Sequence, residues 1–397
     1  MKDVLIASFD MEIGGVERSL ISMLDSFDYD NNNVDLILYS HTGDFMNLIN
    51  KKANLLSENK KYSTFRKSIG QIFKEGQLTL GITRLLARQN CNKVSKKLGL
   101  NESSYIQMQL MWKYAIKFLP KLSKNYDIAI SYLWPHYFVA EKVTAKVKVA
   151  WIHTDYSKLE TDIDIDLEMW DKYDHIFAVS EECKNSFLSK YPSLLNKLKV
   201  LENITAVDFI NKMANEKISD FNSENDNFNL LSVARFSPAK GIDNAVKALR
   251  LLHDKGLTNI KWNVIGYGGD EDNIKKLIKD NNLENSFILL GKKTNPYPYM
   301  KKCDLYVQPS RYEGKAVTVT EAQILNKPVL ITNYPTAKSQ VKDGYDGLIC
   351  ELSVEGIARG IEGLFNNKNK LKILEDNCKS SDYSNSFELE KLYSLYR

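Results

Sequence analysis

The chain has 397 residues, of which 43% are hydrophobic and 26% are charged, and its net charge is +4. This length allows two domains of ordinary size, and the composition is that of a globular protein. The sequence has no run of about 18 apolar residues that would span a bilayer, which excludes a transmembrane helix. The five cysteines are scattered without paired spacing, which predicts reduced thiols in a cytoplasm and no zinc site.

The first half of the chain predicts a Rossmann-like domain over residues 1–206. Residues 4–9 are interpreted as its first strand rather than as part of a signal peptide. This strand leads through Gly14 and Gly15 into a helix. Two glycines at a strand-to-helix turn let a backbone approach a ligand closely, although a tight turn alone would also explain them. Further strands are predicted at residues 34–40, 127–131, 147–152 and 175–180.

Residues 51–124 hold most of the charge asymmetry. Sixteen Lys or Arg oppose three Glu in this segment, a net charge of +13, whereas the rest of the chain sums to −9. Its pattern predicts a mostly helical insertion in which apolar and basic residues alternate. One interpretation is a set of ordinary helices with solvated basic faces, and the other is a surface that lies on anionic lipid headgroups. The charge excess favours the membrane, and no recognition motif for nucleic acid accompanies it.

His153 follows a predicted strand directly, at the end where side chains of parallel sheets contact ligands. A histidine satisfied by backbone groups is the alternative. Nearby, Asp162, Asp164 and Asp166 imitate a metal-binding Asp-x-Asp motif. They lead into a predicted helix, however, where acidic residues are favoured near the start. We therefore expect no metal site.

The second half repeats the strand–helix rhythm, and residues 207–380 predict a second Rossmann-like domain. The polar run at 215–229 is interpreted as a linker or an exposed hairpin. Arg235 and Lys240 then flank a strand-to-helix turn, which places two cations beside a helix N-terminus. Such a pair suits a diphosphate, although two solvated loop residues are the alternative.

A glycine-rich turn with Gly266 and Gly268 follows the next strand. It lacks the Gly-x-Gly-x-x-Gly spacing of dinucleotide-binding enzymes, which argues against an NAD-dependent oxidoreductase. A further strand, at residues 287–290, ends in a loop that contains Lys292.

The clearest site pattern lies at residues 305–332. A strand runs into a polar turn with Glu313, a helix with Glu321 follows, and a second strand comes directly after it. The start of such a helix suits a phosphate, and carboxylates suit the hydroxyls of a sugar or ribose. The pattern therefore predicts a site for a sugar joined to a diphosphate. The alternative is that Glu313 caps the helix and Glu321 is a solvated helix residue.

The run from Glu313 to Glu321, Glu-Gly-Lys-Ala-Val-Thr-Val-Thr-Glu, resembles the paired-glutamate motif of the family-four retaining glycosyltransferases, in particular bacterial capsule and exopolysaccharide members. Arg235 and Lys240 resemble the diphosphate clamp of that family. The resemblance is specific from residue 230 to residue 349. It implies an α/β GT-B fold with two Rossmann-like domains whose parallel sheets face across a cleft, and a terminal helix at 381–397 that returns toward the first domain.

The resemblance also implies roles for single residues. Arg235 and Lys240 would neutralise the leaving diphosphate. Glu313 would hold the hydroxyls of the donor sugar, Glu321 the ribose, and His153 would orient the sugar. Glycine loops and backbone groups would complete the donor site, at Gly14, Gly15, Gly266, Gly268, Lys292, Gly314, Lys315, Ala316 and Val317. Lys315 is a departure, since many relatives carry an apolar or small residue there.

The implied activity is transfer of a sugar, with retention of configuration, from a nucleotide diphosphate sugar to a hydroxyl. We expect a UDP-sugar as donor, a glycan or lipid-linked glycan of cell-surface polysaccharide synthesis as acceptor, and no metal or cofactor. The enzyme would work in the cytoplasm, held peripherally on the inner face of the membrane by the basic segment. Two alternatives stay open: an epimerase or hydrolase on the same fold, and a non-catalytic partner that binds donor or membrane and supports another transferase.

Overall fold

The computed structural model describes residues 1–98, 103–221 and 227–397. Two sequence predictions reach beyond these ranges. Residues 99–102 of the basic segment and residues 222–226 of the polar run lie outside the described residues.

The described chain divides into two compact units. The first consists of Met1–Ile204 and Ser386–Arg397, and the second of Thr205–Asn385. The domain boundary that the sequence predicts, between residues 206 and 207, lies two residues further along the chain.

The first unit contains, within its described residues, a sheet of seven parallel strands in the order β3-β2-β1-β4-β5-β6-β7. The strand order reverses between β1 and β4, and the carboxyl ends of strands at such a reversal are where ligands bind in open α/β sheets. Val4 to Ala7 of β1 are fully buried, as expected for a parallel strand covered on both faces. The strands are β1 Lys2–Ser8, β2 Asn32–Leu38, β3 Asn54–Leu55, β4 Asn125–Ser131, β5 Thr144–Ile152, β6 His175–Ala178 and β7 Leu198–Val200.

Two edge strands of this sheet were not predicted. The strand at 175–180 was expected to be the last of this domain, but β7 pairs with it in parallel. The short β3 pairs with β2 at the other edge. The helices of this unit, before its terminal segment, are α1 Gly15–Asp25, α2 Lys60–Ser63, α3 Ile69–Lys74, α4 Leu78–Leu98, α5 Ser104–Ala115, α6 Tyr137–Lys142, α7 Ile163–Trp170 and α8 Glu181–Lys190.

The described residues of the second unit form a sheet of six parallel strands in the order β10-β9-β8-β11-β12-β13. Its order reverses between β8 and β11, where Leu230 pairs with Leu305. The strands are β8 Phe228–Val233, β9 Ile260–Ile265, β10 Phe287–Gly291, β11 Leu305–Gln308, β12 Val329–Thr332 and β13 Gly347–Cys350.

A tight turn precedes β13, the last strand of this sheet. Gly344 lies in a turn with a φ of +78°, and its N–H donates to the carbonyl of Gly347, so β13 starts only at Gly347. The helices of this unit are α9 Val207–Met213, α10 Ile242–Asp254, α11 Glu271–Asp280, α12 Tyr297–Lys302, α13 Val317–Ile324, α14 Val354–Phe365 and α15 Lys368–Ser380.

The chain ends in a short helix, α16 Leu389–Tyr393, which belongs to the first unit. The hydroxyl of Tyr393 accepts a hydrogen bond from the N–H of Asp28 at 2.9 Å. Its ring packs edge-on against Phe27, with 5.4 Å between the ring centroids. This helix is shorter than the terminal helix that the sequence predicts over 381–397, and residues 381–385 belong to the second unit.

Both units are Rossmann-like, which confirms the predicted α/β fold of two parallel-sheet domains. None of the described helices combines the length and the apolar character that crossing a bilayer requires.

Candidate functional site

Glu313 lies in the turn after β11, and three side chains donate hydrogen bonds to its carboxylate. Its Oε2 accepts from Lys240 Nζ at 2.6 Å. Its Oε1 accepts from Ser310 Oγ at 2.6 Å and from Gln308 Nε2 at 2.9 Å. Glu313 is only 6% exposed. An ionised carboxylate has about four acceptor sites, so these three donors leave about one for a ligand hydroxyl. We call this arrangement the Glu313 cradle.

Gln308, which the sequence did not predict as a site residue, orients the cradle. Its Oε1 accepts a hydrogen bond from the hydroxyl of Tyr306 at 2.8 Å, so its amide nitrogen is turned toward Glu313. Ser310 is held in turn, because the hydroxyl of Thr332 donates to its carbonyl. Gln308 and Ser310 are almost fully buried. Their polar side chains at the end of an apolar strand were the signal that could have identified them.

Gly241 allows the turn after β8 to lie directly on the turn after β11. Its φ is +64°, and a Cβ at this position would lie 2.0 Å from the carbonyl oxygen of Pro309. The two turns are also bonded, since the N–H of Arg311 donates to the carbonyl of Ala239 at 2.8 Å. The guanidinium of Arg311 holds both oxygens of Asp243 at 2.7 Å. Arg311 therefore links the turn after β11 to the start of α10.

The two predicted clamp residues differ in their surroundings. Lys240 is engaged by Glu313, and its side chain is 27% exposed. Arg235 is exposed, and within the described chain its side chain makes no hydrogen bond or ion pair. Arg235 is therefore free to bind an anion. Lys240 could bind one only by giving up its hydrogen bond to Glu313 or by contacting Glu313 and the anion together.

The predicted donor glycines Gly266 and Gly268 lie against the turn after β8. A Cβ at Gly266 would lie 1.9 Å from the carbonyl oxygen of Ala234, and a Cβ at Gly268 would lie 2.3 Å from that of Phe236. This close backbone contact explains both glycines without a ligand, so their donor role stays a prediction. Lys292 is close by, with its Nζ 5.0 Å from the centroid of the Tyr267 ring.

The start of α13 is partly satisfied within the protein. Of the three backbone N–H groups that we predicted to hold phosphate, at 315–317, that of Ala316 donates to Gln340 Oε1 at 3.1 Å. The N-cap of α13 is Ala316 and makes no side-chain cap, so the alternative in which Glu313 caps this helix is wrong. Gly314 lies two residues before this N-cap.

Glu321 is enclosed rather than solvated, which rules out the alternative interpretation of this residue. It is 1% exposed, and the hydroxyl of Tyr297 donates to its Oε1 at 2.8 Å. A ribose bound to Glu321 would share this carboxylate with Tyr297, so the predicted ribose contact remains a prediction.

A second polar cluster lies in the first unit, near the predicted site residues Gly14, Gly15 and His153. A Cβ at Gly15 would meet no atom within 4 Å, whereas one at Gly14 would meet the carboxylate end of Glu17 at 2.2 Å. The ring of His153 lies 4.7 Å from that of Tyr132, between centroids. Gly15 therefore leaves open space at the start of α1.

The hydroxyl of Ser19 is a further member of this cluster, which the sequence did not predict. It is 2.6 Å from the hydroxyl of Tyr132 and donates to Asn203 Oδ1 at 2.7 Å. These three residues lie far apart in the sequence, on α1, after β4 and after β7, so no local pattern indicated them.

The charge state of His153 limits what it can do. Burial lowers the pKa of His153 to about 3, because a desolvated imidazole resists protonation. The ring is therefore neutral near pH 7. It can orient a hydroxyl by hydrogen bonding, but it brings no positive charge to a phosphate.

The acidic residues at 162–166 belong to a helix start, as predicted. Asp162 is the N-cap of α7, and its Oδ1 accepts from the N–H of Ile165 at 3.2 Å. Asp166 accepts a hydrogen bond from the hydroxyl of Tyr191, and burial raises the pKa of its carboxyl group. Among the residues that the structure describes, no group of three or more His, Cys, Asp or Glu could hold a metal ion.

In each unit, polar side chains gather at the carboxyl ends of the strands that flank the reversal in strand order. The fold defines a protein of two Rossmann-like α/β domains. Residues 214–381 match the family described as glycosyl transferases, group 1. The second domain therefore belongs to this family, which confirms the family resemblance that the sequence showed.

Two curated relatives illustrate this relationship. An uncharacterised glycosyltransferase of Methanocaldococcus jannaschii is 30% identical over 170 residues, which are 42% of this chain and 42% of the relative. The capsular polysaccharide biosynthesis glycosyltransferase CapM of Staphylococcus aureus is 27% identical over 235 residues, or 56% of this chain and 60% of the relative. The matched regions thus span about half of the length of these relatives.

A solved structure shares the fold over the whole chain. The structure of Anabaena HepE in complex with UDP and glucose aligns with a TM-score of 0.68 at 16% identity, and the alignment covers 100% of this chain and 99% of HepE. This likeness confirms the predicted GT-B fold.

Proposed function

We propose that this protein is a retaining glycosyltransferase that transfers a sugar from a nucleotide diphosphate sugar to a hydroxyl. The observation that carries the proposal is the Glu313 cradle, a buried carboxylate and a lysine at the strand reversal of the second sheet. The carboxylate can accept a sugar hydroxyl, and the lysine can bind a phosphate. The group 1 glycosyl transferase domain supports this assignment.

The expected donor is a UDP-sugar, and the cations of the turn after β8 would promote its cleavage. Negative charge grows on the diphosphate as the glycosidic bond breaks, so a cation that binds the leaving diphosphate stabilises the transition state more than the ground state. Arg235 is exposed and can provide this contact directly. Lys240 would move part of its interaction from Glu313 to the phosphate. The structure of HepE with UDP and glucose supports this choice of donor.

The proposed acceptor is a glycan or lipid-linked glycan of cell-surface polysaccharide synthesis. The description of CapM as a capsular polysaccharide biosynthesis glycosyltransferase supports this class. We place the reaction in the cytoplasm, at the inner face of the membrane.

A panel of nucleotide sugars tests the proposal. Calorimetry should detect binding of a UDP-sugar, and incubation with a glycan acceptor should give a glycoside that keeps the anomeric configuration of the donor. Free sugar or an epimer formed without acceptor would indicate a hydrolase or epimerase instead. Donor binding with no turnover of any acceptor would indicate a non-catalytic partner.

Activity should survive removal of divalent metals. Of the acids that imitate a metal motif, Asp162 caps a helix and Asp166 bonds to Tyr191, so we expect no loss of rate when excess EDTA is added. The measurement is the initial rate before and after dialysis against EDTA. A loss that Mg²⁺ or Mn²⁺ restores would contradict this prediction.

Some cations of residues 51–124 are engaged within the protein, and others are exposed and available for contact with a membrane. Arg66 donates to the buried carboxylate of Asp10 at 2.8 Å, and Arg84 donates to the carbonyl of Thr64. These two cations stabilise the fold. By contrast, α4 exposes cations along its second half, namely Arg88, Lys93 and Lys96.

Vesicle co-sedimentation tests the proposed membrane contact. We expect binding to anionic vesicles only, reversed by high salt, because charges at a surface are screened within about 8 Å at physiological ionic strength. Changing Arg88, Lys93 and Lys96 together to Gln should weaken binding by about 10²-fold, since each cation near anionic lipid contributes about 1 kcal/mol.

The matched control removes three cations from the exposed face of α11, Lys275, Lys276 and Lys279. It should bind vesicles as the unmodified protein does. Equal losses in both triple variants would show that only net charge matters, and equal binding to neutral vesicles would exclude an electrostatic contact.

A further inference from the structure

An apolar cavity of about 640 Å³ lies in the first unit, among α4, α5, α6 and α7. Its lining includes Ile82, Leu86, Trp112, Ile165 and Met169. Pockets for small molecules typically measure about 300–1,000 Å³ and are mostly apolar, with few polar groups. The cavity has the size and chemistry of such a pocket, and the residues of the proposed donor site do not line it.

The margin of the cavity is also apolar and faces solvent. Ile82, Leu86 and Phe118 line the cavity and are 54%, 48% and 44% exposed. Leu78 and Leu85 extend this apolar surface along α4. Contiguous exposed apolar surface is unfavourable in water and marks interaction sites. The cavity therefore opens through a surface that an apolar occupant would cover.

The charges at the cavity indicate what the other end of the occupant carries. Lys113 and Lys117, one helical turn apart, line it and are exposed. Two acids also line it, but the carboxylate of Glu141 is paired with Lys172, which leaves Glu168. Residues 51–124, which supply α4 and α5, have a net charge of +13. The surroundings thus favour an anionic end group.

We propose that this cavity binds one hydrocarbon chain of an anionic amphiphile, with Lys113 and Lys117 beside its headgroup. A free fatty acid and an acidic membrane lipid share this chemistry. The site goes beyond the proposed function, because binding of a chain requires neither a nucleotide sugar nor glycosyl transfer.

Fluorescence of Trp112, a buried side chain of the cavity lining, reports on the occupant. We expect a long-chain fatty acid with a nitroxide on its chain, used below its aggregation concentration, to quench protein fluorescence saturably. Unlabelled fatty acid should reverse the quenching, and Trp112→Phe should remove most of it. In the second arm, anionic vesicles with nitroxide on the lipid chains replace the fatty acid. Quenching in the first arm alone assigns the site to free fatty acids, and quenching in both extends it to membrane lipids.

Two adjacent leucines of α4 distinguish binding in the cavity from binding to the apolar surface around it. Leu85 and Leu86 are both 48% exposed, but only Leu86 lines the cavity. Leu86→Gln should weaken fatty acid binding about tenfold, as loss of one to two buried methylenes would, whereas Leu85→Gln should change it less than about twofold. Equal weakening by both changes, or absence of saturable quenching, would overturn the proposal.

Two matched double variants test the contact with the headgroup. Changing Lys113 and Lys117 to Gln should weaken fatty acid binding several-fold, while changing Lys275 and Lys279, exposed on α11 and not part of the cavity lining, should not. Equal effects of both pairs would overturn the assigned headgroup position. All of these variants should bind a UDP-sugar normally, so failure of the cavity proposal and failure of the glycosyltransferase proposal remain distinguishable.

Discussion

Lys240→Ala is expected to lower kcat/KM by about 10²-fold or more. A charge-assisted contact to the leaving diphosphate contributes about 3 kcal/mol in the transition state, and each 1.4 kcal/mol changes the rate about tenfold. The change also leaves Glu313, only 6% exposed, without its cationic partner. We therefore expect Lys240→Ala to lower the Tm as well as the activity.

Arg235→Ala should lower kcat/KM to a similar extent without this loss of stability, because its exposed side chain has no partner among the described residues. Steady-state kinetics and thermal unfolding of both variants separate the two effects. Lys247→Ala, an exposed lysine of α10, is the control and should change neither. Full activity in either clamp variant would contradict the assignment of the turn after β8.

Gly241→Ala is expected to impair both stability and activity. The residue has a φ of +64°, and the added Cβ would lie 2.0 Å from the carbonyl oxygen of Pro309. A backbone oxygen cannot rotate away as a side chain does, so the turn that carries Glu313 must move. The left-handed conformation alone costs about 1–2 kcal/mol. With the displacement added, we expect a Tm at least about 5 °C lower and a loss of activity of about 10²-fold, since small displacements of binding groups have effects of this size.

Gly256→Ala isolates the cost of the backbone conformation. Gly256 also has a positive φ, +87°, but a Cβ there would meet no atom within 4 Å. We expect a Tm only about 2–4 °C lower, corresponding to about 1 kcal/mol, and unchanged kinetics. If both glycine variants lost the same stability and kept full activity, the contact between the two turns would have no role in the site.

Much of the fold followed from local patterns. Apolar runs such as Val4–Ala7 and Leu305–Val307 predicted buried parallel strands, and the structure contains them. The acids at 162–166 predicted a helix start, and Asp162 caps that helix. Short edge strands were missed, because β3 and β7 have two and three residues, too few for a periodicity to emerge.

The sequence by itself determined the order of the main strands and helices and the position of Glu313 after a buried strand. These features depend on apolar periodicity and turn-forming residues, which act over a few neighbouring positions. Only the tertiary structure decided what surrounds this carboxylate. Lys240 lies 73 residues away in the sequence, and it reaches Glu313 because β8 and β11 are neighbours at the strand reversal. The neutrality of His153 has the same origin, since the pKa of a side chain depends on how deeply distant segments bury it.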